Sequence, residues 1–445
     1  MYYIMKHILR LTIPLTFLLL HPGISRSEEY SETMQWKACV REARRLHPDL
    51  QAAAQKVRQA KASKEITRSA LLPQITGNAS EVTSRDISFA GSGGSISTGN
   101  AGSSEPGQTT TYDFGATAQQ LLFDGFKSSY NLSGAERNII SSRYNYDVTS
   151  SNIRLRLRSA FVELLRSQEL VKVTEDIETR RRQNLELVKL KYEGGREHKG
   201  SLLTAEADLA QASYEVTQAK RNIYLSQRRL TKELGRSFFI PMSARGGLEV
   251  AEPQHERPDF ENIAQTTPLL QQLIAQKEAA RFGVKSAYAQ FFPTIYGTAS
   301  ASNSSTRWPP DQNDWSIGTS MSVPFFDGGN MIANVTKAKA ALGQAEEDER
   351  SGRDGVILTL SDTWTKLQNA LDNVNVQKKF LEATQERARI SRAEYSIGMT
   401  SFDNWIIIEN NLVSSQKTYV NAEADSLIAE ANWIQAKGGT LDYDG

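Results

Sequence analysis

Most of this chain is written twice. Leu72-Pro73-Gln74-Ile75-Thr76-Gly77 is echoed 220 positions later by Phe292-Pro293-Thr294-Ile295-Tyr296-Gly297, and Pro48 and Pro268 keep that spacing. Further along, Leu122-Phe123-Asp124-Gly125 returns as Phe325-Phe326-Asp327-Gly328 at a spacing of 203, which Tyr192 with Tyr395, Gly195 with Gly398, Glu206 with Glu409 and Gly235 with Gly438 all preserve. A duplication in this order means that two halves share one structural plan. The fall from 220 to 203 assigns 17 extra residues to the first half, in an interval containing Ala90 to Thr109, where 11 of 20 residues are Gly or Ser. That composition predicts a flexible inserted loop.

Each half opens with a helical pattern, Gln51 to Leu71 and Leu269 to Gln290, ended by a proline. The period then changes from helix to strand. Trp315, Ile317, Thr319, Met321 and Val323 alternate with Ser316, Gly318, Ser320 and Ser322, and the first half answers with Tyr112, Phe114, Ala116 and Ala118 against Asp113, Thr117 and Gln119. Ile75 to Thr83 and Thr294 to Asn303, rich in Thr, Ser, Ala and Gly, supply a leading strand to each half. Long stretches without proline follow, Phe126 to Glu193 and Asn330 to Ser396, then glycine-bearing turns and returning helices that run to Gly235 and Gly438. In the first returning helix Leu202, Ala205, Leu209, Ala212, Val216, Ala219, Ile223, Ser226 and Leu230 recur at three and four, a heptad seam. Trp405, Ile408, Leu412, Ser415, Tyr419, Ala422, Ser426, Ala429 and Trp433 repeat it in the second. A helix of nearly 70 residues reaches roughly 100 Å, which no ordinary globular core accommodates.

Between the halves, Arg236 to Thr267 holds Pro241, Pro253, Pro258 and Gly246-Gly247, a connector of irregular pattern. At the N-terminus, Lys6 and Arg10, the apolar stretch Leu11 to Leu20 and Ser25-Arg26-Ser27 read as a secretory signal peptide. The divisions are therefore 1–27 signal, 28–235 first repeat, 236–267 connector and 268–445 second repeat. Cleavage after Ser27 removes Lys6, Arg10 and Arg26, taking the net charge from +1 to −2. A nearly neutral chain offers no general electrostatic reason to bind nucleic acid. The single cysteine, Cys39, follows Trp36-Lys37-Ala38 rather than a lipid-attachment pattern, so it reads as a small packed residue that supports neither a disulfide framework nor a Cys-rich zinc site.

No stretch after the signal is apolar for long enough to span a membrane as a helix, so insertion has to use strands. Four strands of about 9 to 12 residues suit a tilted span, yet single-chain barrels begin at about eight, and lipid does not tolerate open sheet edges. Several copies are then needed to complete one wall, with apolar faces toward lipid, polar faces toward water and helical rods extending inward. The sequence thus predicts an α+β membrane protein in which long α-helical coiled-coil hairpins continue an oligomeric β-barrel, built from two internal repeats.

The order of these landmarks resembles the TolC-like outer-membrane efflux and secretion proteins over essentially the whole mature chain. The helix-to-strand prolines Pro73 and Pro293 carry the resemblance. So do the two Phe-Asp-Gly junctions and the hairpin turns Tyr192-Glu193-Gly194-Gly195 and Tyr395-Ser396-Ile397-Gly398. It implies a homotrimer with a twelve-stranded barrel, four strands per chain, and a helical tunnel across the periplasm. Also implied are a periplasmic adaptor, an inner-membrane transporter and outer-membrane lipid as partners, and export of substrates by passive passage in efflux or type I secretion. Under that resemblance the hairpin turns form the closed inner end, which restricts passage and contacts the adaptor. Tyr192, Arg196, Glu197, His198 and Lys199 stand there in the first turn, and Tyr395, Thr400, Asp403 and Asn404 in the second. The family often places an acid just after these turns, where this chain has Ser201 and Asn404, with Asp403 one residue away. Tyr192 and Tyr395 are candidates to bond across neighbouring hairpins.

Tyr112, Phe114, Trp308 and Trp315 are candidates for an interfacial aromatic girdle. His47, His198 and His255 have no ligand-spaced partners, and no phosphate-binding loop, His-Glu-x-x-His or Gly-x-Ser-x-Gly motif occurs, so neither metal, cofactor nor catalysis is expected. The competing class is a periplasmic coiled-coil scaffold or adaptor without a pore, which has no use for paired lipid-facing strands.

Overall fold

The computed structural model describes residues 32–85, 108–248 and 256–442. The signal reading and most of the Gly/Ser-rich insertion lie outside those residues. The first half runs β1 (Glu32–Met34), α1 (Trp36–Leu46), α2 (Pro48–Ser69), β2 (Gln74–Arg85), β3 (Gln108–Phe123), α3 (Lys127–Glu193) and α4 (Lys199–Leu234). β4 (Met242–Ala244) and α5 (Phe260–Thr266) follow, and the second half is α6 (Pro268–Ala289), β5 (Thr294–Ser305), β6 (Gln312–Ser322), α7 (Asn330–Ile397) and α8 (Phe402–Ala436).

The repeated landmarks have local causes. Pro48 and Pro268 open α2 and α6, where a fixed φ suits the helix and a missing N–H leaves no bond unmade. In each Phe-Asp-Gly junction the aspartate caps a long helix. Asp124 Oδ2 accepts from the Ser128 N–H at 2.8 Å, and Asp327 Oδ2 from the Met331 N–H at 2.6 Å. The following glycines turn the chain with φ of 68° and 69°, a region that L side chains avoid. Gly235 ends α4 in the same left-handed region, and a Cβ there would lie 2.7 Å from the backbone of Leu46 and His47. Its counterpart Gly438 lies against Pro268. Both returning helices therefore close onto the start of their own repeat, and only glycine admits the approach.

β2, β3, β5 and β6 form one antiparallel sheet in that order, with β2 and β6 as its unpaired edges. The register aligns like with like. Ile75, Ala118, Ala299 and Ile317 form one cross-strand row, and Gly77, Ala116, Ala301 and Trp315 the next. The opposite face carries Thr76, Thr117, Ser300 and Ser316, with a hydrogen bond from Asn78 to Asp113 at 2.8 Å and one between Ser300 and Ser316 at 2.9 Å. One apolar and one polar face is what a sheet between lipid and water requires. β3 begins at Gln108, so the last two positions of the Gly/Ser-rich interval belong to a strand rather than to the loop.

Below the sheet, α3 and α7 are continuous for 67 and 68 residues, or about 100 Å at 1.5 Å per residue. α3 with α4 makes a first hairpin and α7 with α8 a second, joined along α3 and α8. The heptad positions face inward as expected: Ala205, Ala212, Val216, Ala219, Ser226 and Leu230 are buried in α4, and Trp405, Leu412, Ala422, Ser426 and Trp433 in α8. At mid-height β1 pairs in parallel with β4. Arg236 ties this belt together by donating to Glu42 at 2.5 and 2.7 Å and to Glu32 at 2.7 Å. Cys39 is wholly buried there beside Met34, Leu157, Leu230 and Met242, and burial first, then the Glu42 charge, pushes its thiol up to about 12. Among the described residues no helix is long and apolar enough to cross a membrane.

Candidate functional site: the hairpin tips and the two-faced sheet

The turns follow from their glycines and caps. After α3 the chain reverses at Gly195 with φ of 66°, and His198 opens α4 by accepting the Ser201 N–H at 3.2 Å on Nδ1. After α7, Gly398 adopts φ of 83° and the Met399 N–H returns to the Glu394 carbonyl at 2.8 Å, closing the helix end. Ser401 then caps α8, its hydroxyl accepting the Asn404 N–H at 3.4 Å.

These turns bring together residues nearly 200 positions apart. The Tyr395 hydroxyl donates to Glu197 Oε2 at 2.9 Å, across the joint between the hairpins. Glu197 also accepts from Ser201 Oγ at 2.9 Å and from the His198 N–H at 3.2 Å. Burial raises the Glu197 carboxyl, but the bonds from Ser201, Tyr395 and the His198 backbone outweigh it and hold the group below the usual glutamate range. The Tyr395 phenol is raised, by burial and then by the carboxylate that it faces. Behind this bond the Tyr395 ring stacks on Trp405 at 4.2 Å and 12°, with Phe402 edge-on to both, and Val188 and Ala205 close the cluster. Lys191 donates to the Tyr395 carbonyl and stands 4.0 Å from its ring centre. The tip joint is thus an aromatic wedge sealed by a charge-assisted hydrogen bond.

A buried polar layer continues the joint away from the turns. Arg181 donates to Asn410 and lies 3.5 Å from Asp208, and Asn184 donates to Glu409 at 3.4 Å. Further along, Lys417 donates to Glu215 at 2.6 Å.

Of the tip residues singled out in the sequence, Tyr395 and Glu197 meet in one contact. The two tyrosines have opposite environments: Tyr395 is 1% exposed and Tyr192 37%. Arg196, His198, Lys199, Asp403 and Asn404 are exposed on the turns, and Thr400 is half-buried. Sequence reasoning did not single out Lys191, Ser201 or Phe402 as parts of the joint. The one available signal was the heptad position of Trp405, on which Phe402 packs edge-on. Among the described residues no group of His, Cys, Asp and Glu is arranged to hold a metal ion.

The aromatic candidates share the loop end of the sheet. Tyr112 meets Trp308 edge-on at 5.6 Å, while Trp315 and Phe114 lie on the apolar face, exposed. A second aromatic group, not anticipated from sequence, marks the helix end, where Phe126, Phe292, Phe325 and Phe326 are all exposed. The two aromatic groups thus lie at opposite ends of the apolar sheet face.

The family model for outer membrane efflux proteins matches residues 39–236 and 260–439. The chain belongs to the outer membrane efflux protein family, the TolC-like channels of the bacterial outer membrane, and that membrane is its location. It is 24% identical over 378 residues to the outer membrane efflux protein BepC of Brucella suis biovar 1, covering 84% of this chain and 78% of BepC. Identity to the outer membrane protein TolC of Vibrio cholerae serotype O1 is 22% over 400 residues, 85% of this chain and 84% of that protein. The same fold occurs in the CmeC outer membrane channel of Campylobacter jejuni, with a TM-score of 0.79 at 16% identity over 98% of this chain and 95% of CmeC. The family is one of efflux channels rather than of enzymes.

Proposed function

We propose that three copies of this chain close a twelve-stranded barrel in the outer membrane, and that their hairpins continue it as a tunnel through which cargo leaves passively. The observation that carries this reading is the mismatch between the junction inside the chain and the free edges of its sheet. Inside, the first repeat meets the second where β3 pairs with β5 and Gly125 packs against Phe292 and Ala289. The repeat spacings carry that junction onto the outer edges of β6 and β2, both unpaired. There Gly328 keeps φ of 69° with nothing within 4 Å of a Cβ. Phe325 and Phe326 are 92% and 90% exposed, where Leu122 is 57% exposed and Phe123 half-buried. A neighbouring copy supplies the missing half of this junction, because lipid leaves no sheet edge unpaired.

The same spacings give a register. Ala118 lies opposite Ala299, so Met321 lies opposite Ala79 of a neighbouring copy. In a Cys39→Ser background, Met321→Cys with Ala79→Cys is expected to cross-link on oxidation into species of up to three chains that reductant dissolves. The detergent-solubilised particle is expected to have the mass of three chains and to conduct in planar bilayers. A monomer released freely into the periplasm, with no cross-link, sinks the proposal in favour of a scaffold or adaptor without a pore.

In this reading the energy comes from an inner-membrane transporter that reaches the tunnel through a periplasmic adaptor, and the transporter chooses between efflux and type I secretion. The exposed turn residues Arg196, His198, Lys199, Asp403 and Asn404, with Thr400, serve as the adaptor's contact surface. The joint of Tyr395 with Glu197 closes the tip, and Tyr192 occupies the equivalent place toward a neighbouring copy. Tyr112, Phe114, Trp308 and Trp315 anchor the outer rim of the wall.

A further inference from the structure

We propose that the outer face of the mid-height belt is a docking surface for peptidoglycan. Its basic helix α1 engages the carboxylates of the stem peptides, and an aromatic group beside it stacks on the glycan.

Against a whole-chain net charge of +1, α1 carries Lys37, Arg41, Arg44 and Arg45 and a single acid, Glu42. Cys39 and Ala43 anchor the helix to the core, so the four cations, at i, i+4, i+7 and i+8, share the opposite, exposed face. Arg44 pairs with Asp442 at 2.6 Å, and Glu42 is taken by Arg236. Among the described residues no ion pair engages Lys37, Arg41 or Arg45. The same place in the second repeat is held by α5, which has Glu261 and no cation. The basic face is therefore not a requirement of the repeated fold.

Beside α1, the end of α4 and the chain after it present a second feature. Tyr224 and Phe239 meet edge-on at 5.2 Å, and the Arg228 guanidinium lies 4.1 Å from the Phe239 ring centre. Phe238 next to them is 63% exposed and Tyr224 51%. Arg236, three residues before Phe239, bonds Glu42 of α1, so both features belong to one belt. Clustered rings left open to water mark an interaction surface.

A neighbouring copy leaves this face open, a step that rests on the trimeric reading above. Inside the chain, the first repeat lies beside the second through α3 and α6, yet Glu261, Asn262, Gln265 and Thr266 of α5 stay exposed. The repeat relation carries that openness to α1.

Height and chemistry together select the partner. α2 separates the belt from the sheet by 22 residues, about 33 Å. Screening acts over about 8 Å at physiological salt, so charged lipid headgroups are out of range. From Leu157 in the belt core to Glu193 at the tip, α3 runs about 54 Å further, which separates the belt from the adaptor's contact surface. Peptidoglycan lies between the two membranes, and a rod of this length has to pass through it. Its stem peptides carry more free carboxylates than amines, and its sugar rings offer C–H faces that suit the negative face of an aromatic ring.

The test mixes detergent-solubilised full-length protein with purified sacculi and reads the fraction that sediments with them. Wild type is expected to bind, with a bound fraction that falls as salt rises. Lys37→Glu, Arg41→Glu and Arg45→Glu together are expected to lower that fraction about tenfold or more, since each cation facing an anionic surface contributes severalfold. Lys37→Arg with Arg41→Lys and Arg45→Lys is expected to keep it. Glutamine at the three positions replaces glutamate if the reversed chain does not fold. Phe238→Ala is expected to weaken binding severalfold with the salt dependence unchanged, and amidating the carboxylates of the sacculi is expected to abolish binding by wild type. Equal sedimentation of charge-altered and wild-type particles, or undiminished binding to amidated sacculi, overturns the proposal. So does a charge alteration that lowers binding to phosphatidylglycerol vesicles while leaving sacculus binding intact, which would assign the face to a membrane. Particle mass, read beforehand, reports on the trimer separately.

Discussion

Replacing Tyr395 with Phe removes one oxygen from the tip and leaves the ring in place. The ring keeps its stack on Trp405 at 4.2 Å, so the substitution isolates the 2.9 Å bond to Glu197. A hydrogen bond to an ionised group contributes about 1.5 to 3 kcal/mol. Glu197 keeps Ser201 Oγ and the His198 N–H as donors, so the loss falls at the lower end, about 1.5 kcal/mol. That is about tenfold in an opening equilibrium. Hydrogen exchange of the peptide spanning the turn between α7 and α8 is therefore expected to speed up about tenfold at neutral pH, with exchange in the α1 and β4 belt unchanged. The pH dependence supplies a second arm. The folded-state pKa of Glu197 is depressed, so its contribution is complete above the ordinary glutamate range and disappears as pH falls through the folded value. Wild type and Tyr395→Phe should therefore converge in acid after correction for intrinsic exchange. Equal protection at neutral pH, or a difference that persists in acid, refutes the view that this bond seals the joint.

Gly235→Ala combines a positive φ with a Cβ 2.7 Å from backbone atoms of Leu46 and His47, whereas Gly195→Ala meets open space at φ of 66°. Thermal unfolding in detergent should show Gly235→Ala as the more damaging, with Gly195→Ala losing only the roughly 1–2 kcal/mol of the left-handed backbone. Cys39, buried and with its thiol raised to about 12, should resist maleimide in the native particle across pH 7 to 9 and label fully on denaturation. Trp308→Ala and Trp315→Ala should lower the amount of protein inserted in the outer membrane while single-channel conductance stays unchanged. A changed conductance with normal insertion would place those rings in the pore instead.

The duplication, the strand periods, the long hairpins and their end points were all legible in the sequence, because their causes reside in single residues or short spacings. A proline presets φ, an aspartate before a glycine caps and turns, and alternation at two or at three and four chooses a sheet face or a coiled-coil seam. Nothing at that range separates Tyr192 from Tyr395, which occupy equivalent places in the two repeats. Their fates diverge because Tyr395 finds Glu197, 198 positions away, while Tyr192 is left exposed. The parallel pair of β1 with β4, about 210 positions apart, and the Arg236 clamp were unreadable for the same reason. Local constraints wrote the repeat, and only packing between distant segments decided which copy of each repeated residue is sealed inside the chain and which is left facing outward.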